Sequence, residues 1–183
     1  MSSIPAVREP PLIVLSPLLR PLPPACRFIL RGSAEVIASA AGALGLPSSA
    51  TPCRAATRGD WAALWLGPDE RLLIGPCGRA DETIALLGNA LTGRSHSLVQ
   101  ISHRQVALEI SGPHAAAALN AGCPLDLDIG AFPVGMCTRT VLAKSEVVLW
   151  RTAEQTFRLE VARSFAGYVS KLLATVAREF QPP

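Results

Sequence analysis

The chain is 183 residues long, 49% hydrophobic and 17% charged, with a formal net charge of +3. That is enough apolar surface for one ordinary core or for two small subdomains sharing an interface, and too much for a disordered chain. The basic excess is slight, forms no block and comes with only 5% aromatic residues, so nucleic acid is not an expected partner.

Residues 1–26 hold seven of the sixteen prolines and read as an extended arm. Its Leu12, Ile13, Val14, Leu15, Leu18 and Leu19 are too apolar for a solvated tail, and they are the candidate partner-contacting residues. "RFILR" (27–31) has the character of a short strand, and Ser33 caps a helix through "AEVIASAAGAL" that Gly45 stops. The stretch 47–60 is a loop by composition. "WAALWL" (61–66) and "RLLIGP" (71–76) form a hairpin across the turn residues "GPDE". Asp81 caps a helix with Ile84, Leu87 and Leu91 on its apolar face, ending near Gly93.

The second half is more regular. "SLVQI" (97–101) is a strand, and "QVALEI" (105–110) alternates Val106, Leu108 and Ile110 toward one buried face. Ser111-Gly112-Pro113 ends that strand and launches the short helix "HAAAALNA". "EVVLW" (146–150) pairs with "FRLEV" (157–161), whose Phe157, Leu159 and Val161 point inward. Ser164 then caps a helix with Phe165, Val169, Leu172, Leu173, Val176 and Phe180 at the 3.6 period. The order β-α-β-β-α-β, then β-α-β-β-β-α, gives an α+β fold of two small split-βαβ (ferredoxin-like) subdomains, each sheet covered by helices on one side. The expected divisions are an arm over 1–26, a first subdomain over 27–95 and a second over 96–183.

Candidate chemistry is sparse. Ser102, His103 and His114 fall within thirteen positions, but nucleophilic catalysis needs a base within reach of the nucleophile and a third group to orient it. Neighbours near a strand end point apart, and no G-x-S-x-G elbow surrounds any serine. Strand-end polar residues and a helix entry explain them better. Asp126 and Asp128 have no histidine or further acid at ligand spacing and read as solvated loop acids. "GSAEVIASAAGALG" lacks both the dinucleotide and the Walker pattern. Cys123 has no evident base, and Trp61, Trp65 and Trp150 read as core or interface side chains. Catalytic, cofactor-binding and metal-binding residues are therefore none from this chain alone, although Arg104 or Arg139 suits a ligand carboxylate.

The five cysteines are odd in number and form no C-x-x-C pair, as expected of reduced thiols in a cytoplasmic protein. "LIVLSPLL" (12–19), broken by Pro17, makes a poor secretory signal. Mean hydropathy is +0.32, yet no run approaches the about 18 apolar residues of a membrane span, so no membrane partner is expected. A face buried against another polypeptide accounts for that excess, and so does plain alanine-richness.

Four blocks, "WLGPDERLLIGP" (65–76), "SHRQVALEISGPHAAAALNAGCPLDL" (102–127), "FPVGMCTRT" (132–140) and "RSFAGYV" (163–169), together resemble the gamma subunits of heterotetrameric sarcosine oxidases along roughly residues 27–180. The second block is also distantly similar to the folate-dependent aminomethyltransferases, including the glycine-cleavage T-protein. It departs from them where their aspartate aligns only loosely with Asp126 or Asp128, and where "LAKSEVVLW" (142–150) replaces a paired-glycine, acid-rich turn. The resemblance implies a fragment of the folate-binding aminomethyltransferase fold. It further implies an accessory, non-catalytic chain packed against alpha, beta and delta subunits in the cytoplasm. The implied complex demethylates sarcosine oxidatively to glycine, yields hydrogen peroxide and passes the one-carbon unit to tetrahydrofolate. FAD, FMN, NAD and tetrahydrofolate are implied for that complex and none for this chain alone. Two alternatives remain: a stand-alone folate-binding protein of the same fold, or the equivalent subunit of an N-methyl amino-acid dehydrogenase complex.

Overall fold

The computed structural model describes residues 18–48 and 51–180. Its first strand, β1 (Leu19–Pro21), does not belong to the unit that follows it. That unit runs β2 (Ala25–Gly32), α1 (Ala34–Ala43), β3 (Ala55–Arg58), β4 (Trp61–Gly67), β5 (Glu70–Pro76), α2 (Ala80–Ala90) and β6 (His96–Gln100). Its antiparallel sheet has the order β3-β4-β5-β2-β6. The second unit comprises β7 (Gln105–Ser111), α3 (Ala115–Asn120), β8 (Cys137–Leu142), β9 (Ser145–Ala153), β10 (Thr156–Ala162) and α4 (Arg163–Ala177), in a sheet ordered β1-β7-β10-β9-β8.

The two orders correspond place by place, with one exchange. In the first sheet the outermost strand beside β2 is β6, which follows α2. In the second the same place beside β7 is taken by β1, from the other end of the chain. The expected boundaries shift accordingly. Residues 19–21 are part of the second sheet rather than of an arm, with Leu19 opposite Ile110 and 1% exposed, and β6 belongs to the first sheet rather than to a subdomain starting at residue 96. Linear order hides such an exchange, because an edge strand is assigned by its pairing partner and not by its neighbours in sequence.

Helices α1 and α2 cover the outer face of the first sheet, closing a core of Phe28, Leu30, Val36, Leu73, Leu87 and Leu91 among others. Helices α3 and α4 do the same for the second, over Leu108, Ile110, Leu149, Phe157, Leu159 and Leu173. The two inner faces meet around Leu64, Leu72, Ile74, Cys137 and Val148, so the layers run helix, sheet, sheet, helix. A sheet buried on both faces loses its polar alternation. Residues 71–75 of β5 are all buried for this reason, and so is Ala107, on the face of β7 expected to be wet.

Local chemistry sets several of the element ends. The Val36 N–H donates to the Ser33 hydroxyl at 3.4 Å, the expected cap of α1. Gly45 takes φ +69°, which lets Leu46 N–H reach Ala41 O at 2.8 Å and Gly45 N–H reach Gly42 O at 3.0 Å, closing the helix with a Schellman motif. Other expectations are corrected. The loop over 47–60 contains β3, an edge strand whose "AATR" has little propensity of its own and is fixed by pairing with β4. Arg79 rather than Asp81 stands at the cap of α2, leaving Asp81 and Glu82 in the first turn where acids suit the helix dipole. Ile84 is exposed there while Thr83 is buried. Helix α4 starts at Arg163 without a side-chain cap from Ser164. It buries Ala166, Val169, Ser170, Leu173, Ala174 and Ala177, small residues that let it lie close to the sheet, and Phe165 is turned outward.

Candidate functional site

Two ion pairs cross where the two units join. Arg27, on β2, extends across the interface to Glu160 on β10, with Nε 2.6 Å from Oε2. Arg158 Nε donates to the other carboxylate oxygen at 2.8 Å, and Arg27 Nη1 donates to Ala25 O at 3.0 Å. Arg27 is 2% exposed and Glu160 1%, so this is a buried triad of two cations on one anion. Charges taken out of water are tolerated only when paired and hydrogen-bonded, and removing one partner costs about 3–5 kcal/mol. Further links cross the same joint. Arg139 on β8 pairs with Glu70 on β5 at 2.6 Å, and Arg54 forms an isolated bridge with Met136, of which the 2.9 Å bond from the Cys137 N–H to Cys53 O is part.

A cleft of about 240 Å³ is lined by Ile29, Ile101, Arg104, Gln105, Arg139, Glu146, Ala162 and Phe165, from both units. It contains both arginines suited to a ligand carboxylate, in different states. Arg139 lies between two acids, Glu70 and Glu146 (3.6 Å), and the Glu70 contact holds its pKa above the ordinary arginine value. Arg104 is exposed at the rim. The Gln105 side-chain oxygen is buried and accepts no hydrogen bond among the described residues.

The other sequence candidates are engaged locally. The Ser102 hydroxyl accepts the Arg27 N–H at 3.0 Å, which ties the turn after β6 to the triad strand. His103 is exposed, and His114 stacks on Phe180 at 4.8 Å between ring centres. Asp126 accepts the Asp128 N–H at 2.9 Å and Asp128 accepts the Gly130 N–H at 2.8 Å, so each acid caps its own turn at the surface. All five cysteines are free; Cys26, Cys123 and Cys137 are buried, and burial pushes the Cys137 thiol up to about 12. Trp61 packs into the outer core over Gly75, while Trp65 and Trp150 flank the inner one. No group of three metal-ligating side chains occurs among the described residues, and no helix there is long and apolar enough to cross a membrane.

Of the six candidate partner-contacting residues, Leu12, Ile13, Val14 and Leu15 lie outside the described residues. Leu19 is spent in the chain's own core, and Leu18 packs against that core. The residues that sequence reasoning missed are Arg27, Arg158 and Glu160, together with Arg151. The Arg151 guanidinium is 4.6 Å above the Phe157 ring and donates to the carbonyls of Leu127, Phe132 and Glu154, organising the turn over 126–136. For Arg27, Arg158 and Glu160 the sequence signal is a charged residue between apolar strand neighbours; Arg151, followed by Thr152, carries a weaker one.

The sequence blocks quoted above meet in pairs: Glu70 of the first with Arg139 of the third across the joint, and, within the second unit, Arg104 O of the second with the Arg163 N–H of the fourth at 2.8 Å. A family model described as the sarcosine oxidase gamma subunit family matches residues 31–179. The sarcosine oxidase subunit gamma of an Arthrobacter species is 38% identical over 155 residues, covering 83% of this chain and 74% of that protein. Its counterpart from Corynebacterium sp. (strain P-1) is 36% identical over 151 residues, covering 81% and 71%. Among solved structures, a chain of the heterotetrameric sarcosine oxidase from Corynebacterium sp. U-96 in complex with pyrrole 2-carboxylate superposes with a TM-score of 0.83 at 32% identity, covering 90% of this chain and 85% of that one. The glycine cleavage system aminomethyltransferase T from Bartonella henselae shares the fold, with a TM-score of 0.67 at 16% identity over 87% of this chain and 46% of its own.

Proposed function

The chain belongs to the sarcosine oxidase gamma subunit family, and from that premise we propose that it serves as the accessory gamma subunit of a heterotetrameric sarcosine oxidase, joined to alpha, beta and delta subunits. The observation that carries this reading is the TM-score of 0.83, at 32% identity, to a chain of an enzyme that is itself heterotetrameric. The site geometry supports it. The polar groups with reactive chemistry are committed to structural contacts: Glu160 to two arginines, one of them across the joint, Ser102 to a main-chain N–H, Asp126 and Asp128 to their own turns. Side chains that water does not favour stand outward, among them Val134, Val141, Phe165 and Tyr168, as suits a chain packed against larger ones.

In this reading the complex oxidises sarcosine to glycine in the cytoplasm. FAD, FMN, NAD and tetrahydrofolate are held by the other subunits, and this chain supplies scaffold rather than reacting groups. The segment around Leu12–Leu15 reaches a neighbouring subunit. Co-expression with the other subunits tests the assignment: the tagged chain is expected to bring flavin absorbance with it on purification, and elution alone, without flavin, contradicts it. The shared fold with the aminomethyltransferase carries a second reading, a folate-binding protein in its own right. Saturable tetrahydrofolate binding by the lone chain would favour that reading over the first.

A further inference from the structure

Three arginines are buried among the described residues, and their hydrogen bonding differs. Arg27 has Glu160, and Arg151 spends both Nε and Nη1 on main-chain carbonyls. Arg71, 6% exposed, spends only Nη1, on Gly67 O at 2.6 Å and Glu70 O at 2.9 Å. The two acids that precede it in sequence are occupied elsewhere, Asp69 with Arg31 at 3.2 Å and Glu70 with Arg139 at 2.6 Å. Its Nε and Nη2 meet no acceptor among the described residues, and neither is sealed from solvent. Burial accordingly holds its pKa below the ordinary arginine value.

Arg71 lines a cleft of about 210 Å³ between α1 and the first sheet, together with Ile37, Ser48, Pro52, Trp65 and Pro68. The guanidinium lies 5.7 Å from the centre of the Trp65 ring. A smaller adjoining cavity shares Ser48 and Arg71 and adds Arg54, a second cation whose guanidinium makes, among the described residues, one long hydrogen bond, of 3.4 Å to Val134 O. Tying down Nη1 fixes the plane of the Arg71 fork and leaves free the Nε–Nη2 edge, which meets both oxygens of a carboxylate side-on.

We propose that this cleft is a carboxylate-binding site, in which Arg71 takes both carboxylate oxygens through Nε and Nη2, while Ile37, Pro52 and Pro68 receive a compact apolar body attached to the acid. That chemistry has two sources, a free small organic acid or an Asp or Glu side chain of a neighbouring subunit. Only the second source rests on the assembly proposed above.

The test titrates the full-length chain with sodium propionate while following tryptophan emission, with sodium chloride at matched ionic strength as the control. A saturable change beyond the chloride control is expected. It should fall at least tenfold in apparent affinity in Arg71→Gln, and its optical signal should be lost in Trp65→Phe. Ser48→Glu, at an exposed position, places an internal carboxylate beside the cleft and should suppress propionate binding without touching Arg71, which covers the case in which Arg71→Gln fails to fold. The same titration on the assembled complex separates the sources. A free ligand leaves the complex able to bind propionate and Arg71→Gln able to assemble. A partner carboxylate blocks propionate in the complex and makes Arg71→Gln assemble at least tenfold more weakly. Propionate indistinguishable from chloride on the lone wild-type chain, together with unimpaired assembly of a folded Arg71→Gln, overturns the proposal.

Discussion

Glu160 is the residue on which the joint between the two units depends. Its carboxylate receives Arg27 from the facing sheet and Arg158 from its own strand, so replacing it strands two guanidinium groups beside a neutral amide or an empty space. Glu160→Gln should lower stability by about 3–5 kcal/mol in urea unfolding, whereas Arg27→Met and Arg158→Met combined with Glu160→Leu should recover most of that loss, because an apolar trio removes the desolvation problem. The sequence placed Glu160 correctly on the face opposite Phe157, Leu159 and Val161. It did not reveal that a second sheet covers that face, because alternation reports which side a residue takes and not what lies there. Arg27 lies 133 positions away, beyond any local pattern.

The cysteines give a second test at the same scale. Burial lifts the Cys137 thiol from an ordinary value of 9.0 to about 12, so at pH 8 its thiolate fraction is on the order of one in ten thousand. A thiol reagent at that pH should modify exposed Cys77 rapidly and reach Cys137 only on unfolding. The folded chain keeps a proton that the unfolded chain sheds near pH 9, so this group's contribution to stability is intact below that pH. It is lost as the pH rises toward 12. Rapid labelling of Cys137 in the native chain would contradict the burial assigned to it.

Among the elements, β1 deserves the closest experimental scrutiny, because three residues from the start of the chain complete the sheet of its last third. Leu19 is fully enclosed by that core, and Leu19→Ala should cost about 2–5 kcal/mol. Truncation separates its two roles. Removing residues 1–17 leaves β1 in place and should spare the thermal melt while weakening assembly, the part expected of Leu12–Leu15. Removing 1–24 also uncovers the edge of β7 and should destabilise the chain itself. The helices and hairpins closed by local chemistry, such as Ser33 before α1 and the Gly67–Glu70 turn, were legible in the sequence. Elements held mainly by distant partners, β1 and β3, were not. Helix α4 was legible in place but not in rotation. The expected Val169 and Leu173 do pack inward, but Phe165 drew the face too far round, and the rest of the packed face is Ala166, Ser170, Ala174 and Ala177, which hydrophobic periodicity weighs too lightly.

For the whole molecule, two ferredoxin-like units share an inner core and a charged joint, and two of the blocks that carry the family resemblance meet across that joint. The α+β class and the two-unit plan followed from element order. The face-to-face stacking of the sheets did not, because a run such as "RLLIGP" reads the same whether its second face meets a helix or another sheet. An accessory subunit of this kind should be required for a complete assembly rather than for turnover by itself. Native mass spectrometry of the co-expressed subunits tests this most directly: one 19.3 kDa copy of the chain should be found in each heterotetramer. Complexes of the other subunits that form at full yield without it, with the chain only at its own mass, would contradict its place in the enzyme.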